Sequence, residues 1–139
     1  MKVAVNDAIR YVLKSMRHIR KGDIPSAILV CLVELGFTPQ SDGFGYLRKA
    51  IYRKCMDADQ RFSEMYVCIG QMYTPPVSSF QVEQAIRSAI AGAWEQRDPE
   101  IWGFYFPKNR EGNQKKPSNG EFISRLACML ELWCTCLEE

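Results

Sequence analysis

No stretch of this sequence is long and apolar enough to cross a bilayer. The longest unbroken apolar run, Ala27 to Val33, falls far short of the ~20 residues a spanning helix needs. Nor does an apolar stretch with a small-residue cleavage site follow Met1, Lys2, Asp7 and Arg10, so no secretory leader is expected and the expected compartment is the cytoplasm. Histidine is almost missing. The single copy, His18, sits in a basic stretch with neither a nucleophile nor an orienting acid beside it, so no enzyme activity is expected. Alternation of apolar and polar residues at the strand period is weak throughout, which argues against a sheet. A large charge imbalance is lacking too, since the net charge is only +2.

What is present suits one folded domain. A chain of 139 residues has room for a single core of ordinary size, and 47% hydrophobic with 24% charged residues excludes global disorder. Six cysteines occur, at positions 31, 55, 68, 128, 134 and 136. Several fall inside apolar helical runs, where free thiols are commonly buried, so reduced core cysteines are expected. Cys134 and Cys136 form a C-x-C pair, but structural zinc sites usually combine two pairs and no second pair or histidine lies nearby. No metal and no cofactor are therefore expected; a metal or redox role for this pair stays a third alternative to the functions below. The charge is unevenly placed. Lys2, Arg10, Lys14, Arg17, Arg20 and Lys21 face only Asp7 in residues 1–22, which leaves the remainder slightly acidic. A nucleic-acid-binding domain of this composition must concentrate its cations locally.

Helical spacing and helix punctuation recur along the whole chain, and the expected fold is all-α, a compact bundle of about six to seven helices. Residues 1–22 are read as a basic amphipathic N-terminal helix, running from about Asp7 to Lys21 between an Asn6 cap and Gly22, with Ile9, Val12, Leu13, Met16 and Ile19 on one stripe. Its basic back, Arg10, Lys14, Arg17 and Lys21, suits either a solvated face or a nucleic-acid arm. Residues 23–139 form the second unit. Its first helix, opened by Asp23 and Pro25 and closed by Gly36, is apolar on nearly every face and is expected to be the central core helix. A third helix over about 43–57 buries Tyr46, Leu47, Ala50, Ile51 and Cys55. Two more follow at about 62–73 and 79–96, then a short aromatic segment from Asp98 to near Phe106. Past a polar loop, a last helix starts at Ser118 and Glu121 and carries Phe122, Ile123, Leu126, Leu130, Trp133 and Leu137.

The pair at 62–73 and 79–96 is the most informative. Ser78 and Gln81 form an S-x-x-Q capping box at the second helix's start. Val82, Ala85, Ile86, Ala89, Ala93 and Trp94 form its inward stripe, which makes Trp94 a core residue. Gln81, Gln84, Arg87 and Ser88 recur at spacings of three and four on the opposite face. Gly70 in the preceding helix permits close approach of a neighbour. Two short helices with a polar stripe on the second describe a helix-turn-helix, although a helical hairpin in any bundle shows similar spacing. The loop from Pro107 to Pro117 carries Lys108, Arg110, Lys115 and Lys116 against Glu111, which suits either solvent or a phosphate backbone.

With these residues in place, the chain resembles the C-terminal effector domain of the stage zero sporulation protein A family. Four segments carry the likeness: Glu34-Leu35-Gly36-Phe37 with Gly45-Tyr46-Leu47-Arg48-Lys49-Ala50-Ile51, then Met65-Tyr66 with Ile69, then Val82 to Ile90 with Ala93-Trp94, and last Lys116-Pro117-Ser118-Asn119-Gly120-Glu121-Phe122-Ile123. The resemblance implies a domain that binds double-stranded promoter DNA, with the helix around Val82 to Trp94 in the major groove. The family's base-reading arginines match Gln81 and Gln84, whereas Glu83 and Arg87 agree with the family. Glutamine pairs with adenine where arginine favours guanine, so a different operator is expected. The inter-helix turn looks about two residues longer than the family's. Residues 1–22 cannot house the family's phosphorylated receiver, so a receiver-less chain is expected, its first helix supplying dimerisation or backbone contacts. The family's contact with the RNA polymerase sigma subunit maps by position onto Ile101, Trp102, Gly103 and Phe104.

The expected function is thus a sequence-specific DNA-binding transcription regulator. Gln81, Gln84, Arg87 and Ser88 would read bases, and Ser78, Lys108, Arg110, Lys115 and Lys116 would hold the backbone. The sigma subunit, through Trp102 and Phe104, and a second copy of the chain are further candidate partners. The alternative is a protein-interaction module of the same fold that has lost its operator contacts and docks on the RNA polymerase sigma subunit, on another regulator or on itself, a reading favoured by Gln81 and Gln84 and by the slightly acidic remainder.

Overall fold

Helix starts in this chain are set by side chains that stand in for missing backbone partners. The computed structural model describes residues 10–135. A first helix, α1, covers residues 10–15. Asp23 accepts from the Ser26 N–H at 3.3 Å and opens α2, Ile24–Glu34, with Pro25 in its first turn where no N–H is needed. Ser41 accepts from the Phe44 N–H at 3.2 Å and opens α3, Asp42–Met56. The next helix, α4, Phe62–Gly70, starts at Arg61 without a side-chain cap. Ser78 opens α5, Ser79–Glu95, and Asp98 opens α6, Pro99–Tyr105, by accepting from the Glu100 N–H. Ser118 and Glu121 bond each other's backbone N–H at the start of α7, Asn119–Thr135. The described residues hold seven helices and no strand, the all-α architecture expected. None of these helices is long and apolar enough to cross a membrane.

The centre of the bundle is α3, which packs against α2, α4, α5 and α7. This corrects the expectation for α2. Its inner side, Ala27, Ile28, Cys31 and Leu32, is buried, but Leu29 and Val33 lie exposed on the other. What fits α3 for the centre is its small residues: a Cβ on Gly43 would overlap the Ala85 carbonyl, and Ala50 is fully buried. The inward stripe expected of α7 is buried from Phe122 to Trp133.

Two helices are shorter than their sequence patterns suggest. The first was expected to reach Lys21 but ends at residue 15: after the Met16 N–H bond to the Val12 carbonyl, the Arg17 and Ile19 N–H groups donate to the Lys14 and Met16 carbonyls in the tighter i→i−3 manner. Val12 and Met16 are buried while Arg17, His18 and Arg20 are exposed, so past Met16 little apolar side chain holds a longer helix to the core. Gly22 then takes φ +96, a left-handed turn that delivers Asp23 to its capping position. The expected Asn6 cap, with Asp7 and Ile9, lies outside the described residues. The other shortened helix, α4, ends at Gly70 and not at 73, because Met72→Ile69 and Tyr73→Gly70 bonds close its last turn ahead of Pro75 and Pro76.

An aromatic cluster fills the end of the core near α6. The Trp102 ring stacks on Phe37, crosses Trp94 edge-on at 5.6 Å, and lies against Phe106 and Phe122. Trp94, expected in the core, is only half-buried. Its outer face is covered by the Arg97 guanidinium, 3.5 Å from the ring centre.

Candidate nucleic-acid interface

Two close backbone approaches fix the orientation of α5. At one side, Gly70 at the end of α4 meets the turn that leads into α5. A Cβ there would overlap the Val77 carbonyl oxygen, and the Val77 N–H donates to the Gly70 carbonyl at 3.0 Å. The turn is held from outside by Tyr73, which packs edge-on against Tyr46 at 5.3 Å and lies under the Lys49 ammonium. At the other side, the Ala85 and Ala89 stretch of α5 lies against Gly43 of α3. Val82, Ile86 and Ile90 then point into the core with almost no exposure. With its inner face and one flank used in this way, α5 is left with one broad outward face.

At 100° per residue, Phe80, Gln84 and Arg87 stand at i, i+4 and i+7 along the middle of that face, and Gln81 and Ser88 occupy the adjoining stripe. Arg87 and Ser88 are exposed, as a polar outward stripe requires, whereas Gln84 is half-buried. Gln81 has a second occupation. Its Oε1 accepts from the Ser78 N–H at 3.2 Å and from the Ser78 hydroxyl at 3.1 Å, while that hydroxyl accepts from the Gln81 N–H, also at 3.1 Å. The box that starts the helix therefore holds the carbonyl half of the Gln81 amide and both polar groups that Ser78 could offer a phosphate. Phe80, which the sequence reading left out, is 67% exposed at the head of the central stripe. Its signal was the isolated aromatic inside a capped first turn, out of phase with the buried stripe.

The second flank of α5 meets the start of α7. The Asn119 side-chain amide donates to the Glu83 carbonyl at 3.1 Å, and Phe62, Tyr66, Arg87, Ser118 and Asn119 line the shallow groove between the helices. Burial raises the Tyr66 phenol above its usual range, and the nearby Asn119 opposes that shift. Arg87 bonds Glu83 at 3.2 Å, with the two side chains 57% and 39% exposed. The Glu121 carboxyl falls below its usual range because it accepts from the Ser118 backbone N–H. Lys115 and Lys116 are exposed and lie three and two residues before Ser118, bordering a groove with Phe106, Glu121 and Arg125. Lys108 and Arg110, also exposed, stand at the other end of the loop. That loop is ordered from within by Asn109, whose side-chain oxygen accepts from the Glu111 and Asn113 N–H groups, and by Gln114, which links Arg97 to the Pro99 carbonyl.

The segment matched to a sigma-subunit contact divides. Trp102 is 1% exposed and its indole N–H donates to the Leu35 carbonyl at 3.0 Å, so the expectation that it meets a partner is corrected: it is a core residue. Phe104 is half-buried and stacks on Tyr11 at 4.4 Å. Among the described residues no group of three or more His, Cys, Asp and Glu side chains converges as a metal site would require. Cys134 is half-buried, and Cys136 lies outside the described residues.

Against known families, residues 28–130 match the family described as the sporulation initiation factor Spo0A C terminal. The matched stretch runs from within α2 into α7 and includes α4, the turn at Gly70 and Val77, and all of α5.

Proposed function

This chain belongs to the Spo0A C-terminal family, the DNA-binding effector domain of a sporulation regulator, and from that premise we propose that it regulates transcription by reading specific sites with α5 in the major groove. In this reading α4 and α5 form a helix-turn-helix, α4 crossing the backbone and α5 presenting its first two turns to base edges. The observation that carries it is the outward face of α5. That face carries Phe80, Gln84, Arg87 and Ser88, begins at a completed capping box, and belongs to a helix anchored by glycine-mediated contacts at Gly70 and Gly43, so it projects from a rigid support.

The roles follow from what each side chain has left to offer. The Gln84 amide can both donate and accept toward adenine. Arg87 is held by an exposed ion pair worth at most ~1 kcal/mol, so it exchanges Glu83 readily for a phosphate oxygen or a guanine edge. Ser88 offers one hydroxyl further along. Gln81, with its carbonyl in the cap, contributes its remaining N–H donors and does not make the paired adenine contact. Lys115 and Lys116 hold phosphates beside the α7 start, and Lys108 and Arg110 extend that contact along the backbone.

Binding-site selection from random duplexes, on the wild type and on Gln84→Ala and Arg87→Ala, tests this. The wild type should enrich one motif, and Gln84→Ala should relax it at one or two positions at a cost of ~1–3 kcal/mol. Arg87→Ala should weaken binding broadly or lose a guanine. If the wild type enriches nothing, the interaction-module reading takes over. The pairing of Arg87 with Glu83 favours that reading.

A further inference from the structure

We infer that Phe80 is a specificity-determining residue that reads the C5-methyl group of thymine in the operator's major groove; the inference rests on the DNA-reading function of α5 just proposed. Phe80 is more exposed, at 67%, than any other large hydrophobic among the described residues. Its position gives it no structural use inside the bundle, since it stands about 160° around the helix from Val82 and about 120° from Ile86, which are fully buried. It is the second residue after the Ser78 cap and heads the Phe80, Gln84, Arg87 stripe, so whatever Gln84 and Arg87 touch, Phe80 reaches at the leading end. The neighbouring Gln81 carbonyl is tied into the cap, which leaves the first turn with an aromatic ring as its main outward group.

In the major groove, the one apolar group on a base edge is the thymine methyl, and a phenyl ring is among the side chains that contact it. An exposed ring there gains by removing that methyl from water, whereas cytosine at the same place presents only C–H and an amino group. The stripe therefore reads, in order, a methyl through Phe80, an adenine edge through Gln84, and a guanine or phosphate through Arg87. A mixed apolar and amide readout of this kind predicts an A/T-rich half-site.

The test uses the full chain and the motif that selection enriches. Each thymine in that site is replaced in turn by deoxyuridine, which keeps the base pair and removes only the methyl. The wild type should lose about fourfold in affinity at one or two positions, the worth of one methyl taken from water. Phe80→Ala should bind the thymine and deoxyuridine sites equally, and Phe80→Leu should keep part of the preference. Both variants should melt within a few degrees of the wild type, because the ring is outside the core. A wild type indifferent to every deoxyuridine, or a Phe80→Ala variant that keeps the same preference, overturns the assignment of Phe80. If the motif still responds to Gln84→Ala, that failure belongs to Phe80 alone, whereas a wild type that enriches no motif overturns both the Phe80 inference and the DNA-reading function.

Discussion

At the scale of the residue, the side chains that matter most are those with two demands on them. Gln81 was legible as both a cap and a base reader, and the geometry gives its carbonyl oxygen to the cap. Removing the box with Ser78→Ala should cost ~1 kcal/mol of stability, measured by denaturant unfolding, and should loosen operator binding because the first turn frays. A loss in binding without any loss in stability would return Ser78 to the role of a phosphate ligand. Cys31 is a different case. Burial pushes its thiol up to about 12, and Tyr105, which donates to its sulfur at 3.4 Å, is itself raised by burial. Both groups are held neutral by the fold while the unfolded chain ionises them from about pH 9 to 10, so the unfolded state binds fewer protons there. Their contribution to stability should then be constant below about pH 9 and be lost as pH rises toward 12. Melting temperatures across pH 7–11 should show that decline, and Cys31→Ala should make it shallower once corrected for its own cavity.

At the scale of the element, α5 depends on residues that lack side chains. Gly70→Ala would push a methyl into the Val77 carbonyl, and Gly43→Ala would push one into Ala85. Overpacking against backbone costs ~1–3 kcal/mol or more, so both variants should melt earlier. Gly70→Ala should also weaken DNA binding beyond its stability loss by turning α5 relative to α4, whereas equal binding per folded molecule would show that the turn does not set the docking angle. Much of this level was readable in advance. The Asp23, Ser78, Asp98 and Ser118 caps and the α7 stripe are local signals, because a cap acts on N–H groups two or three residues away. The ends of α1 and α4 were not readable, since they depend on what the core holds and on how the turn at Gly70 closes. Trp102 was missed as a core residue for a similar reason. A seven-residue helix has too few turns to set a phase, and its anchor, the Leu35 carbonyl, is 67 residues away in sequence. Phe80 is hard to read from periodicity because it is a single apolar residue, out of phase with the buried Val82, Ile86 and Ile90, on a stripe whose other members are polar.

At the scale of the whole molecule, a net charge of +2 supplies little general attraction to DNA, so affinity must come from where the cations stand. Lys115 and Lys116 are exposed and border a groove with Phe106 at the end of α6 and Glu121 and Arg125 of α7, and in the proposed reading these two are the lysines expected to neutralise phosphates during base reading. Lys115→Ala with Lys116→Ala should weaken specific and nonspecific binding alike and make the dependence of affinity on log salt shallower by ~0.9 per lost contact. An unchanged slope would assign that segment to solvent.

The central claim, that the outward face of α5 is the DNA-reading surface, is tested most directly by backbone-amide NMR during titration with the selected duplex. The account predicts that the largest shifts fall on residues 79–91 and 115–121, with the α2 face around Leu29 and Val33 unmoved. Saturable shifts confined to other elements, or binding that leaves the α5 amides where they were, would contradict it.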